Sequence, residues 1–188
     1  MKDFENYKKE QCTIDMNRAN LVAIKYMVIF AVLFCVPYYV LWGFKSKDII
    51  GDLGIVFNAL IPFLILIAGV ILHELVHGFF FALYAAKGIK SVKFGIMRKY
   101  LAPYAHCKEP LKIKNYIVAL LAPLILVGIL PGIAGIIVGN FQLTLFGVAL
   151  SAGAAGDLMI YNMIRKENPE DYVQDHPTEA GYFIYRKI

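Results

Sequence analysis

The apolar segment at residues 61–86 constrains this chain most, because it is long enough to cross a lipid bilayer as a single helix. It contains three ionisable side chains, His73, Glu74 and His77, in the order His-Glu-Leu-Val-His. Residues four apart lie on one face of a helix, so the two histidines project together, one turn apart. A charged side chain at the bilayer centre costs roughly 2.5–3.5 kcal/mol on insertion scales, which indicates a functional role for this trio.

Composition supports a membrane protein. The chain has 188 residues, of which 59% are hydrophobic, whereas about 45–50% is usual for a soluble domain. Four apolar segments are long enough to span, which predicts a single α-helical membrane domain over residues 1–188. The predicted spans are residues 21–44, 61–86, 116–138 and 143–164, with a polar loop at 45–52 and a cytoplasmic tail at 165–188.

The connector between the second and third spans is not a continuous apolar segment, and its sequence is typical of short strands. Its partly alternating pattern at 91–98 and the short aromatic run at 100–107 predict a small β-hairpin. The tail is predicted either to add a strand or to lie on the surface, and residues 1–20 are predicted to be a short lead-in, with an interfacial helix as one possibility.

The charge distribution predicts the orientation. The net charge is +5, but the basic residues flank the apolar segments and form no single basic face, which argues against nucleic-acid binding. Eight lysines and arginines lie between residues 87 and 114, against Glu109 as the one acid. Basic residues concentrate on the cytoplasmic side, so both termini are predicted to be cytoplasmic, with the lipid bilayer as a partner.

The spacing of the two histidines suits a metal. Two imidazoles at i and i+4 can bind one tetrahedral Zn²⁺, with Glu74 beside them as the base that takes a proton from the attacking water. The alternative is a polar trio that neighbouring helices satisfy without metal.

A catalytic zinc also needs a third protein ligand. The four predicted spans contain two acids, Glu74 and Asp157, which leaves Asp157 as the candidate. Counted back from the basic residues that close their spans, Asp157 lies roughly 12 Å deep and the histidines roughly 15–21 Å deep, at 1.5 Å per residue. Gly153 and Gly156 are expected to let the fourth span approach the second closely.

Two alternatives remain for these ligands. The carboxylate of Asp157 can instead make a helix-packing hydrogen bond, to Asn162 or to a tyrosine. His106 and His176 lie outside the predicted spans and are weaker ligand candidates, better explained as loop histidines.

These motifs carry a resemblance to a known family. The His73–His77 motif on a membrane helix, the basic connector and Gly156-Asp157 two spans later resemble the core of the site-2 proteases, which are intramembrane zinc metallopeptidases. More closely, the chain resembles the small putative zincin membrane peptidases of bacteria, over about residues 55–165, and this resemblance implies a bacterial plasma membrane. The aspartate lies in an Ala-Gly-Asp-Leu setting, unlike the Asn-Pro-Asp-Gly or Leu-Asp-Gly of site-2 proteases, and the chain has no PDZ-like insertion.

The resemblance and the residue chemistry imply the same function. The expected protein is a zinc endopeptidase that cleaves a membrane-protein or peptide substrate near the cytoplasmic face, with the hairpin offering an edge for strand addition. The alternative is a membrane metal-binding protein without proteolysis, either a degenerate protease scaffold or a transporter. A di-iron lipid desaturase is disfavoured, because such sites need around eight histidines and this chain has four.

Overall fold

The structure, a computed structural model, describes residues 4–14, 16–43, 55–97 and 102–188. The helices described are α1 (Met16–Trp42), α2 (Ile55–Tyr84), α3 (Ile113–Pro123), α4 (Leu130–Val138), α5 (Phe141–Gly153) and α6 (Ala155–Ile164), with a π-helical segment, Leu124–Ile129, between α3 and α4. The strands described are β1 (Tyr7–Thr13), β2 (Val92–Met97), β3 (Ala102–Cys107), β4 (Leu111–Lys112), β5 (Tyr172–Asp175) and β6 (Gly181–Lys187). The predicted polar loop at 45–52 and the hairpin turn at 98–101 lie outside the described residues.

Three of the predicted spans correspond to helices that are long and apolar enough to cross a membrane. They cover Ala19–Trp42, Leu60–Tyr84 and Ile113–Val138. The second helix begins at Ile55, and the apolar stretch long enough to span begins at Leu60, next to the predicted start at residue 61. Pro62 lies inside the helix, beyond its first turn. The mainly apolar residues from 55 to 60 extend the helix before this stretch.

The fourth predicted span is not one straight helix. Helices α5 and α6 satisfy the same length and hydropathy test only as a pair, and they are bent by 45°. Ala154 separates them, within a run of alanine and glycine. Glycine weakens a helix interior because it loses more backbone entropy on ordering, which explains why the helix is interrupted here.

The third span remains helical through Pro131 and Gly132. Both residues lie inside α4, and the irregularity lies earlier, in the π-helical segment between Pro123 and Pro131. Proline cannot donate the usual hydrogen bond to the residue four positions earlier. A short π-helical segment is a common way for a helix to continue through such a local defect.

The chain separates into two compact units. The sheet unit comprises Met1–Ala19, Glu74–Ala122 and Gly156–Ile188, and the helical unit comprises Asn20–His73 and Pro123–Ala155. Helix α2 is continuous through the boundary after His73. The prediction of a single domain over residues 1–188 stays a prediction.

The sheet unit contains an antiparallel sheet in the order β1-β6-β5-β4 and the separate hairpin β2-β3. The hairpin confirms the prediction for the connector, with Gly95 opposite Tyr104. The tail supplies two strands, which confirms one of its two predicted alternatives. The lead-in contains strand β1 instead of an interfacial helix, because residues 7–13 pair along their whole length with β6.

This sheet also shows that the chain returns, after the helices α3 to α6, to the sheet from which it departs. Strand β4 directly precedes α3, and strand β5, which follows α6, pairs with it. The chain from α3 to α6 therefore starts and ends at the same sheet. Because β1 and β6 pair as well, the two terminal segments lie on the same side of the molecule.

The two units are held together internally by different contacts. The sheet unit has a core of buried apolar side chains from its helices and strands, including Phe81, Tyr116 and Ile184. The helical unit relies on small residues. A Cβ built on Gly128 would come 2.5 Å from the Ser151 hydroxyl, and one on Gly135 would come 2.5 Å from the backbone nitrogen of Thr144.

Candidate metal centre

The structure brings together three of the side chains selected from the sequence. One ligand atom each of His73, His77 and Asp157 lie within 4.8 Å of one another. Both histidines are buried, and the side chain of Asp157 is 17% exposed. Among the described residues, this is the group of three ligand-type side chains that could hold a metal ion.

The orientation of the His77 ring is set by a backbone group of α3. Its Nδ1 lies 3.0 Å from the carbonyl oxygen of Ala119. A carbonyl oxygen can only accept, so Nδ1 carries the proton and donates. The ring also stacks on Phe81, with 5.9 Å between centroids. Nε2 is therefore directed to the other side of the ring, where Asp157 lies.

The separation between His77 and Asp157 fits a shared cation. Nε2 of His77 lies 3.3 Å from Oδ1 of Asp157. With Nδ1 protonated, a neutral ring presents a lone pair at Nε2, and two acceptors face each other unless a proton or a metal ion lies between them. Two ligands of a tetrahedral zinc, each about 2.0–2.1 Å from the ion, are about 3.3–3.4 Å apart. The donor set therefore fits zinc, with His73 as the further ligand.

Asp157 reaches this position through the bend after α5. It lies in the first turn of α6, where the partial positive charge of a helix N-terminus stabilises a carboxylate. The expectation that Gly153 and Gly156 bring the helices into close contact was wrong. A Cβ built on either glycine meets no described atom within 4 Å, so neither position requires glycine for space.

Glu74 lies in the same cavity as two of the metal-ligand candidates. A cleft of about 160 Å³, here called the histidine cleft, is lined by Glu74, His77 and Asp157 within the sheet unit. Glu74 is partly exposed, in contrast to the buried histidines. A carboxylate beside a candidate metal site could act as a general base in hydrolysis.

Sequence reasoning missed the polar wall opposite these residues. Asp175 and Tyr116 line the histidine cleft, and the Tyr116 hydroxyl donates a hydrogen bond to the Asp175 carboxylate. The backbone N–H of Cys107 donates to the same carboxylate, at 2.7 Å. The residues come from α3, β3 and β5, so only the folded sheet unit assembles them. Burial raises the pKa of Asp175.

The other two histidines lie elsewhere. His106 is in strand β3, and His176 follows β5, where its Nδ1 accepts a hydrogen bond from the Glu179 backbone at 2.9 Å. Neither belongs to the three-residue group. His176 fits its prediction as a turn histidine, whereas the prediction of a loop for His106 was wrong, because the hairpin includes that residue.

Two buried histidines and an aspartate around one point, on helices that fit a membrane, are typical of metal-binding membrane proteins. Comparison with known families narrows this class. The model of the family described as "Putative zincin peptidase" matches residues 65–172, more than half of the chain, and the chain belongs to this family. No curated protein and no solved structure matches the chain.

Proposed function

We propose that the protein is a zinc-dependent endopeptidase that cleaves membrane-embedded or membrane-proximal peptides near the cytoplasmic face, in the manner of a site-2 protease. Membership of the zincin peptidase family supports a zinc-dependent peptidase. The observation that carries the proposal is the grouping of His73, His77 and Asp157 beside a cleft that also contains Glu74.

His73, His77 and Asp157 would hold the zinc ion. When bound, zinc supplies Lewis acidity, which polarises a peptide carbonyl and lowers the pKa of water towards 7. The hydrogen bond from His77 to the Ala119 carbonyl keeps Nε2 directed at the metal position. Replacement of one of these three side chains by alanine should therefore abolish zinc binding. The hydrogen bond between His77 and the Ala119 carbonyl should affect only the zinc affinity.

Glu74 would act as the general base and then as the general acid. It takes a proton from the attacking water and delivers it to the leaving amine as the peptide bond breaks. Because a carboxylate can carry the proton between these two steps, no additional acid is required. Part of the cleft wall is apolar, including Leu120 and Ile160.

The hairpin offers a binding edge for the substrate. A peptide bond within a transmembrane helix is already hydrogen-bonded, so the substrate must unwind before attack. Within the described residues, β3 pairs in a sheet only with β2, and Pro103, Tyr104 and Ala105 of β3 line the histidine cleft. An extended peptide added along β3 would therefore pass the candidate catalytic residues.

The chain path supports a four-span arrangement with both termini on one side. Three helices fit a membrane, and the bent pair α5–α6 returns the chain to the sheet from which α3 departs. A re-entrant loop would leave β5 and β4 on opposite sides of the bilayer, whereas they pair. The lysines and arginines of the connector favour a cytoplasmic location for this side.

The experiment compares membrane-peptide profiles of cells that express the wild-type protein or Glu74→Gln at equal levels. The proposal predicts shortened membrane peptides only with the wild type, with cleavage sites close to their cytoplasmic ends. Gly153→Ala is the matched control, because a Cβ at this position meets open space. Identical profiles for the wild type and Glu74→Gln would contradict the proposal.

A further inference from the structure

A second cavity adjoins the histidine cleft. This hairpin cavity has a volume of about 330 Å³ and lies between the β2-β3 hairpin and the segment that joins β5 to β6, all within the sheet unit. It shares three wall residues with the histidine cleft, namely Tyr104, Ala105 and Asp175. A peptide residue beside the bond held in the cleft could therefore place its side chain in this cavity.

Among the described residues that line the cavity, two carry a carboxyl group and none is a lysine or an arginine. Asp175 and Glu179 contribute carboxylates. Burial lowers the pKa of His106, one of the two histidines in the wall. The other, His176, accepts a hydrogen bond at Nδ1 from the backbone N–H of Glu179. A cationic side chain would therefore be attracted.

The shape of the wall suits a long side chain with a charged end. Ile96 and Met97 of β2 provide apolar surface, along which an aliphatic stem can pack. The aromatic ring of Tyr104 offers a face for cation–π contact. The Asp175 carboxylate accepts from Cys107 and Tyr116, which leaves acceptor positions, since a carboxylate offers about four.

We propose that the hairpin cavity binds the side chain of a lysine or arginine at the cytoplasmic end of the substrate's membrane segment, next to the bond that is cleaved. This rests on the proposed function. Membrane proteins carry lysine and arginine at the cytoplasmic ends of their spans, so a protease acting there meets such a residue in most substrates. Binding of this residue in the cavity would fix which peptide bond of the substrate lies in the histidine cleft, and so the cleavage position.

The test measures binding and cleavage separately. Three fluorescent peptides share one apolar segment and differ at a single flanking residue, which is lysine, norleucine or glutamate. Binding is measured with the full-length Glu74→Gln protein in phosphatidylcholine nanodiscs, because zwitterionic lipid does not itself attract lysine. Cleavage of the same peptides is measured with the zinc-loaded wild type.

The lysine peptide should bind about tenfold more tightly than the norleucine peptide, as expected for hydrogen bonds to a charged group. Glu179→Gln should reduce this preference about threefold, and Glu179→Lys should move it towards the glutamate peptide. Asp175→Asn provides a second variant of the wall. Glu170→Gln is the matched control, because Glu170 is an exposed acid of the same unit that pairs with Lys112 and Lys114 instead.

The outcomes separate the two proposals. Equal binding of the lysine and norleucine peptides overturns the cavity assignment, as does a lysine preference that neither Glu179→Gln nor Asp175→Asn changes. Cleavage by the wild type without lysine preference removes this inference and leaves the peptidase intact. A lysine preference without any cleavage removes the peptidase and leaves a cation-binding cavity.

Discussion

The sheet unit and the helical unit obtain their internal order in different ways. In the sheet unit, buried polar side chains have specific partners, such as His77 with the Ala119 carbonyl and Tyr116 with Asp175. In the helical unit, helices approach through small residues, such as Gly147, where a Cβ would collide with the backbone of Gly132. The comparison shows that the polar side chains proposed for catalysis are not the small residues that allow the helices to pack closely. Substitutions should therefore change activity and stability separately.

The largest effect is expected for activity at Glu74. Glu74→Gln keeps the size of the side chain but removes the base, so cleavage should fall by about 10²–10⁴-fold. Zinc content should stay at the wild-type level, because Glu74 is not one of the three grouped ligands. Rates on a quenched peptide, together with metal analysis of the same sample, check this. A variant that cleaves at the wild-type rate would remove Glu74 from the mechanism.

A large loss of stability is expected within the helical unit. Gly147→Val forces a side chain against the Gly132 backbone, which cannot move aside as the end of a flexible side chain can. Overpacking of this kind costs about 1–3 kcal/mol, or roughly 2–12 °C in melting temperature for a chain of this size. Thermal unfolding in detergent measures it, with Gly153→Ala as the control that should melt like the wild type.

A smaller loss of stability is expected at the polar wall of the histidine cleft. Tyr116→Phe removes the hydroxyl that donates to Asp175 and keeps the buried ring. The loss should be about 0.5–1.5 kcal/mol, since Asp175 retains the bond from the Cys107 backbone. Denaturation of the purified protein checks this, and an unchanged midpoint would show that the bond contributes nothing.

The smallest effect is expected at a partly exposed ion pair of strand β6, which lies between β1 and β5 in the sheet. Arg186 pairs with Glu167 at 2.8 Å and lowers the pKa of that carboxyl. A lowered pKa in the folded state contributes stability above the unfolded pKa, near 4.5, and this contribution is lost as pH falls through the folded pKa. Arg186→Gln should therefore cost less than about 1 kcal/mol at pH 7. The difference from wild type should shrink below pH 4.5, and melting curves at several pH values test this.

Much of the candidate site could be predicted because helical spacing is local. His73 and His77 lie one turn apart in any helix, and Asp157 was the remaining acid within the predicted spans. The hairpin had its own alternating pattern. The roles of these residues stay predictions, whereas their grouping is observed.

The missed features depend on contacts between distant parts of the chain. The Ala119 carbonyl has no sequence signature, because every residue has one. Asp175 joins the cleft only when β5 pairs with β4 and β6, and the pairing of β1 with β6 connects segments about 170 residues apart. The glycines near Asp157 were misread, because glycine spacing does not reveal which positions another backbone approaches.

The most direct test of the account is zinc binding and coordination in the purified full-length protein without an affinity tag. Metal analysis and X-ray absorption should show about one zinc per chain, bound by two imidazoles and a carboxylate oxygen. His77→Ala and Asp157→Ala should each lose the metal, whereas His106→Ala should keep it. A wild-type protein without zinc, or an Asp157→Ala protein with an unchanged zinc site, would contradict the central claim that these three side chains form one metal centre.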